Sequence, residues 1–325
     1  MTYLGKYGYA YFPSALSSIF SPKLQSTTMD GGIYLDKIGA RGGGFSLVKG
    51  SETWVKIYPD ESDRTEVVVN KSIRNFPPSI EAAEEMRRRY KIKGRIEIKH
   101  RISVPIGSGF GTSASSAAGV TLAISSLLGQ GITLSEVVRI THEVELRCRT
   151  GLNSEVGLMT GGLVLVLREG APPRSIIDNI PLPSNIKLVA IVSGPIETPS
   201  SLSEISKIEE VEKIGDRYLS RILRQPTIEN FLKYAREFSY ESGFVTKKVE
   251  EIFEVFDKLP VIGYAQNMLG EAVHALVYDK NLDLVVRSLI ESFPDMELVV
   301  SDITSICNVY SKSIGTIELE QTYRH

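Results

Sequence analysis

The sequence predicts an α+β fold in two halves, and three observations carry that reading. Strand-like runs open each half and helix-like runs follow them. Gly94-Arg-Ile-Glu-Ile-Lys-His-Arg-Ile-Ser-Val104 alternates apolar and polar residues at the period of a half-buried strand, and Ala114 to Leu128 has the apolar density of a buried helix. A length of 325 residues, 42% hydrophobic and 23% charged, gives a globular balance with room for two domains.

Taken in order, Tyr7-Gly-Tyr-Ala-Tyr-Phe-Pro13 is rich in β-formers and ends in proline, and after a polar stretch comes Gly39-Ala-Arg-Gly-Gly-Gly-Phe-Ser-Leu47. These read as early strands joined by a glycine-rich turn. Thr53 to Tyr58 and Thr65 to Val69 read as strands. Ser79 to Tyr90 reads as a helix, with a capping serine, acids at its start and bases at its end. Ala114 to Leu128 is a helix closed by Gly129, and Thr133 to Leu146 is a second, with Thr133 as cap and Glu136 at the capping-box position. Gly151-Leu-Asn153 interrupts, and Gly161 to Leu167 is a strand. Pro172, Pro173, Pro181 and Pro183 then mark a boundary, dividing the chain into residues 1–180 and 181–325. The second half opens with a strand, Ile186 to Val192. Helices follow at about Leu202 to Leu223 and Thr227 to Phe238, with two or three more before a short C-terminal strand.

Charge and cysteine usage narrow the function. A formal net charge of -2 argues against nucleic-acid or membrane-surface binding, whose footprint is a basic excess. Cys148 and Cys307 lie far apart and four histidines are scattered, which disfavours a structural zinc site. Met1 to Gly8 holds no apolar signal core and no run approaches the ~18 apolar residues of a membrane span, so a cytoplasmic protein is expected.

The stretch with the most chemistry is Pro105-Ile-Gly-Ser-Gly-Phe-Gly-Thr-Ser-Ala-Ser-Ser-Ala-Ala-Gly119. Gly107, Gly109 and Gly111 allow backbone N–H groups to converge on phosphate oxygens. Thr112, Ser113, Ser115 and Ser116 add hydroxyl donors, and the following helix aims its positive end at the same place. No lysine lies between Pro105 and Gly131, so this is not a P-loop, and the glycines do not open a dinucleotide fold. The plain alternative is a Gly/Ser-rich surface turn; the hydroxyls and the helix favour phosphate.

On this loop, on Gly39 to Phe45, on Thr150-Gly-Leu152 with Gly161-Gly162, and on Arg168 to Pro173, Ser193 to Thr198 and Ala265 to Gly270, the chain resembles the GHMP small-molecule kinases. Within them it is most similar to the archaeal pantoate kinase branch. The resemblance implies a two-domain fold with the active site between the halves, an N-terminal ATP-binding domain (1–180) and a C-terminal domain (181–325). ATP would sit on Pro105, Gly107, Gly109, Gly111, Thr112, Ser113, Ser115 and Ser116. Mg²⁺ would be held by Ser113 and either Glu143 or Glu145, with Glu143 ranked first on its spacing to the following loop; a solvated acidic face is the plain reading of both.

Where many relatives carry an aspartate, seven residues before Gly161, this chain has Ser154 followed by Glu155. Either Glu155 substitutes after a small shift or no general base exists, which a loose phosphoryl-transfer transition state tolerates. Arg147 and Arg149 either face the cleft as acceptor contacts, with Arg149 joining Ser154 and Glu155 in catalysis, or complement the helix dipole. Arg41 and Asn153 are further acceptor candidates, Lys6 is an exposed lysine by default, and His142 is expected to be packed rather than catalytic.

Loss of an acid beside two arginines orders the acceptors. Mevalonate 3-phosphate, phosphorylated on its 5-hydroxyl in an archaeal isoprenoid route, comes first, and pantoate, in archaeal coenzyme A synthesis, second. A catalytically inactive nucleotide-binding sensor, or a decarboxylase of the same superfamily, stays open. The expected partner is a small-molecule hydroxy acid, with no nucleic acid and no membrane; a homodimer also stays open.

Overall fold

Two long antiparallel strands, β1 (Lys6–Lys23) and β2 (Gly39–Tyr58), form the spine of the molecule. The computed structural model describes residues 6–24, 34–59, 61–195, 205–268, 270–304 and 309–315. β1 is much longer than the Tyr7 to Pro13 strand expected, because its serine-rich second half continues the ladder with β2. Likewise Gly39 to Leu47 and Thr53 to Tyr58, expected as separate strands, are one continuous strand. Its glycines let β1 come close: a Cβ on Gly44 would lie 1.9 Å from the Leu16 carbonyl oxygen.

β2 changes partner along its length. Gly42 to Phe45 pair with β6 (Leu163–Arg168), and Ser51 to Tyr58 pair with β5 (Arg95–Ile102). β3 (Thr65–Val69) runs parallel to β5 and pairs with β4 (Ser72–Ile73), β7 (Ile176–Ile180) pairs with β6, and β12 (Tyr310–Gly315) returns to the free side of β1. β5 shows the predicted alternation, with Ile96, Ile98, His100 and Ile102 buried. Its His100 bonds Ser79 and Thr53, which pins α1 (Pro77–Tyr90) to the sheet. Ser79 therefore lies inside that helix instead of capping it; Phe76 is the cap residue, followed by prolines.

Helices α2 (Thr112–Leu127) and α3 (Leu134–Cys148) complete this half, and Thr133 caps α3 through Glu136 N–H as expected. The second sheet runs β11-β8-β10-β9, with β8 (Ile186–Pro195), β9 (Gly263–Gln266), β10 (Gly270–Tyr278) and β11 (Glu297–Ser301). The β9–β10 hairpin and β11 were not anticipated. Val273, Ala275 and Val277 of β10 pack under α6 (Lys247–Phe256) and α7 (Leu282–Ser292). The other face, Ala272 and Leu276, joins α5 (Ile228–Glu241) and α4 (Ile205–Arg224) in the core that also holds Leu16, Phe45 and Leu47. Leu202 to Glu204 of the expected helix, and Ile196 to Thr198 of the Ser193 motif, lie outside the described residues. No helix among the described residues is long and apolar enough to cross a membrane.

Candidate active site

The Pro105 loop leaves β5 and enters α2 through three left-handed glycines, Gly107, Gly109 and Gly111, at φ 81°, 78° and 60°. Gly111 is the N-cap of α2 and brings no side chain to its first N–H groups, so the positive end of the helix faces the loop uncapped. Phe110 is buried and anchors the loop. The hydroxyls divide. Ser113 is half-buried and Thr112 buried at the head of the helix, whereas Ser115 is fully buried and bonds Ser51 (2.8 Å). Ser116 is fully buried, and its Oγ has no hydrogen-bond partner among the described residues.

The acid that meets this loop is Glu145, not the first-ranked Glu143. Ser113 Oγ donates to Glu145 Oε1 (2.5 Å), Ser154 Oγ donates to Oε2 (2.9 Å), and Thr150 Oγ1 donates to Oε1 (3.3 Å). Glu143 sits on the polar face of α3 between Arg139 and Arg147. Burial pushes the Glu145 carboxyl up to about 8, the Glu155 charge adds to the rise, and the hydroxyls of Ser113 and Ser154 oppose it.

Glu155 is fully buried and accepts from His142 Nδ1 (2.6 Å), while His142 Nε2 donates to the Leu35 carbonyl (3.2 Å). Burial alone would lower the His142 pKa; the Glu155 carboxylate and the carbonyls of Leu35 and Ile38 override it and raise the value, as two donating ring nitrogens require. His142 is thus packed and paired, and Glu155 is turned to it rather than to the cleft. The second Glu155 oxygen, Oε2, is buried with no hydrogen-bond partner among the described residues.

Beside Ser154 opens a shallow cavity with about 410 Å³ of empty space, a figure that includes the open solvent at its entrance. Leu16, Ile19, Phe20, Leu152, Val164 and Val166 give it an apolar wall; Ser17, Ser46, Asn153 and Ser154 add polar groups. Among the described residues Arg41 is its only charged lining residue, and no carboxylate among them lines it. Arg41 pairs with Asp216, which also accepts from Ser21 (2.6 Å) and Lys23 (2.7 Å); Lys23 pairs with Glu212 (2.6 Å) as well. Two cations thus meet two anions. Burial would raise the Asp216 pKa, but the bonds from Lys23, Ser21 and Arg41 hold it below the usual carboxylate value.

The structure does not bring the other arginines here. Arg147 points to the outer face, where it pairs with Glu81, Glu85 and Glu143, and Arg149 is exposed as the left-handed C-cap of α3. Asn153 lines the cavity, yet its amide is occupied: Oδ1 accepts from Ala40 N (2.9 Å) and Gly170 N (3.0 Å), and Nδ2 donates to the Gly170 carbonyl (2.8 Å). It positions the loop. Lys6 is exposed at the start of β1. Sequence reasoning passed over Asp216 and Lys23, which carry no local motif.

A family model described as the GHMP kinases N terminal domain matches residues 79–159. Among curated proteins, the pantoate kinase of Thermococcus kodakarensis is 27% identical over 84% of this chain and 89% of its own length. The pantoate kinase of Methanocaldococcus jannaschii is 26% identical over 76% and 87%. A solved structure of a phosphotransferase related to the CoA biosynthesis pathway superposes with a TM-score of 0.79 at 23% identity, covering 96% of this chain and 99% of that one.

Proposed function

We propose, from the match of residues 79–159 to the GHMP kinase N-terminal domain, that this chain is an ATP-dependent kinase whose acceptor is the hydroxyl of pantoate. The observation that carries the choice of acceptor is the cavity beside Ser154: an apolar wall with one cationic residue, already neutralised in part by Asp216. Such a site suits a branched, singly charged hydroxy acid, whose methyl groups meet Leu16, Ile19 and Val164 and whose carboxylate meets Arg41. It suits a phosphorylated acid poorly. The charge argument that ranked mevalonate 3-phosphate first rested on Arg147 and Arg149, neither of which lines the cavity, and the curated relatives support pantoate as well.

ATP with Mg²⁺ is the cofactor pair of the family. The residues fit the metal: Glu145, a buried carboxyl among three hydroxyls with no cationic side chain bonded to it among the described residues, is the hard oxygen set that Mg²⁺ favours. Glu145 and Ser113 would hold the ion, and the loop glycines with the head of α2 would cradle the phosphates. When bound, the ion supplies neutralisation of charge developing on the transferred phosphoryl group. The chain's own part is positioning. Ser154, fixed by Glu145, lines the cavity and would orient the acceptor hydroxyl. With no carboxylate among the described lining residues, the reading assigns none of them as a general base. It keeps the division into an N-terminal nucleotide-binding half, 1–180, and a C-terminal half, 181–325.

Purified protein with Mg-ATP, assayed in parallel against pantoate, mevalonate and mevalonate 3-phosphate, should release ADP with pantoate and yield a product heavier by one phosphoryl group. Turnover confined to mevalonate 3-phosphate would overturn the acceptor. Nucleotide binding without turnover on any of the three would favour the sensor.

A further inference from the structure

A buried chain of hydrogen bonds joins the wall of the acceptor cavity to the phosphate loop. It begins at Ser18, the extra residue of a β-bulge in β1, where the register with β2 shifts between Ser17 and Ile19. Ser17 and Ile19 line the cavity; Ser18 does not, and its Oγ donates to His274 Nε2 on β10 (2.9 Å). His274 Nδ1 donates to Asn267 Oδ1 (2.8 Å), and Asn267 Nδ2 donates to the Ser108 carbonyl (3.3 Å), between Gly107 and Gly109. Ser18, His274 and Asn267 are fully buried and Ser108 nearly so.

The donors run one way, which needs a single neutral tautomer of His274; burial supplies it by pushing the imidazole pKa down to about 3. Two close contacts hold the ends. The Met268 N–H donates to the Ser17 carbonyl (2.8 Å), and a Cβ on Gly109 would lie 2.8 Å from the Met268 carbonyl oxygen. The rings of Phe45, a cavity residue, and His274 form a T-shaped pair with centroids 5.5 Å apart.

We propose that Ser18, His274 and Asn267 are positioning residues that set the phosphate loop from the acceptor-cavity wall, so that nucleotide affinity depends on a serine that touches no nucleotide. The inference rests on the kinase reading above. Its physical basis is that each link is buried, so losing one leaves its partner unsatisfied and the loop free to shift.

The test is the Kd of Mg-AMPPNP, measured by calorimetry at a temperature where circular dichroism shows every variant folded. Ser18→Ala, a small change within β1, should weaken binding about three- to tenfold. His274→Asn, which keeps a donor towards Asn267 and drops the bond to Ser18, should give a similar value. Ser18→Ala combined with Asn267→Ala should bind little worse than Asn267→Ala alone, since links of one relay do not add. Wild-type affinity in Ser18→Ala, or losses that multiply in the double variant, would overturn the relay. Wild-type protein that binds Mg-AMPPNP but does not turn over pantoate would remove the acceptor assignment and leave this test intact; wild-type protein that binds no nucleotide would overturn both.

Discussion

Glu145 is a carboxyl almost fully out of solvent and bonded by hydroxyls instead of a cationic side chain. Its folded pKa of about 8 lies above the ordinary 4.5, so between those values the folded chain binds more protons than the unfolded one. Stability therefore falls as pH rises from about 5 to about 8 in metal-free buffer. The raised His142 pKa acts in the same sense, contributing stability that is present at acid pH and lost as pH rises through its folded value. Thermal melts without Mg²⁺ should show the decline, and Glu145→Gln should flatten most of it; an unchanged slope in the variant would assign the dependence elsewhere. The choice between Glu143 and Glu145 was legible in the sequence by another route than loop spacing. Residues two apart on a helix point roughly 200° apart, and Arg139, Glu143 and Arg147 form an i, i+4 ion-pair row on the polar face. Glu145 follows Thr141 on the buried face, so the helical wheel alone separates the two.

Among elements, the alternation of β5, the cap of α3 and the apolar run of α2 were legible because local pattern and tertiary placement agree. The second half of β1 was not. Its Ser14, Ser18 and Ser21 read as a polar loop, yet all three are fully buried, and Ser18 and Ser21 have partners more than 190 residues away in sequence, His274 and Asp216. The glycines of β2 misled for a related reason. They suggest a turn joining the early strands, but they lie within β2 and serve the close approach of β1, which no local rule announces. Gly44→Ala tests this reading. Its Cβ would collide with backbone at Leu16, not with a side chain that can swing aside, so the variant should lose about 1–3 kcal/mol in urea unfolding. A loss near zero would mean that the two strands separate easily.

At the scale of the whole molecule, the two sheets share one core. Ala272 and Leu276 of the second sheet, Phe231 and Phe238 of α5, and Leu16 and Phe45 of the first belong to a single buried cluster. Phe45 and Phe231 meet edge to face at 5.6 Å across it. Neither half can open without exposing the other, so calorimetry should record one cooperative transition with calorimetric and van't Hoff enthalpies equal. Two resolved transitions would show that the halves melt separately. The pairing of β12 with β1 bears on a different process, synthesis on the ribosome. About 300 residues separate the two strands, and at roughly 5–20 residues per second β1 waits some 15–60 s before its partner has been made. The N-terminal half thus emerges early but completes its sheet only once β12 has been made, which makes elongation rate and chaperone occupancy over that interval determinants of yield.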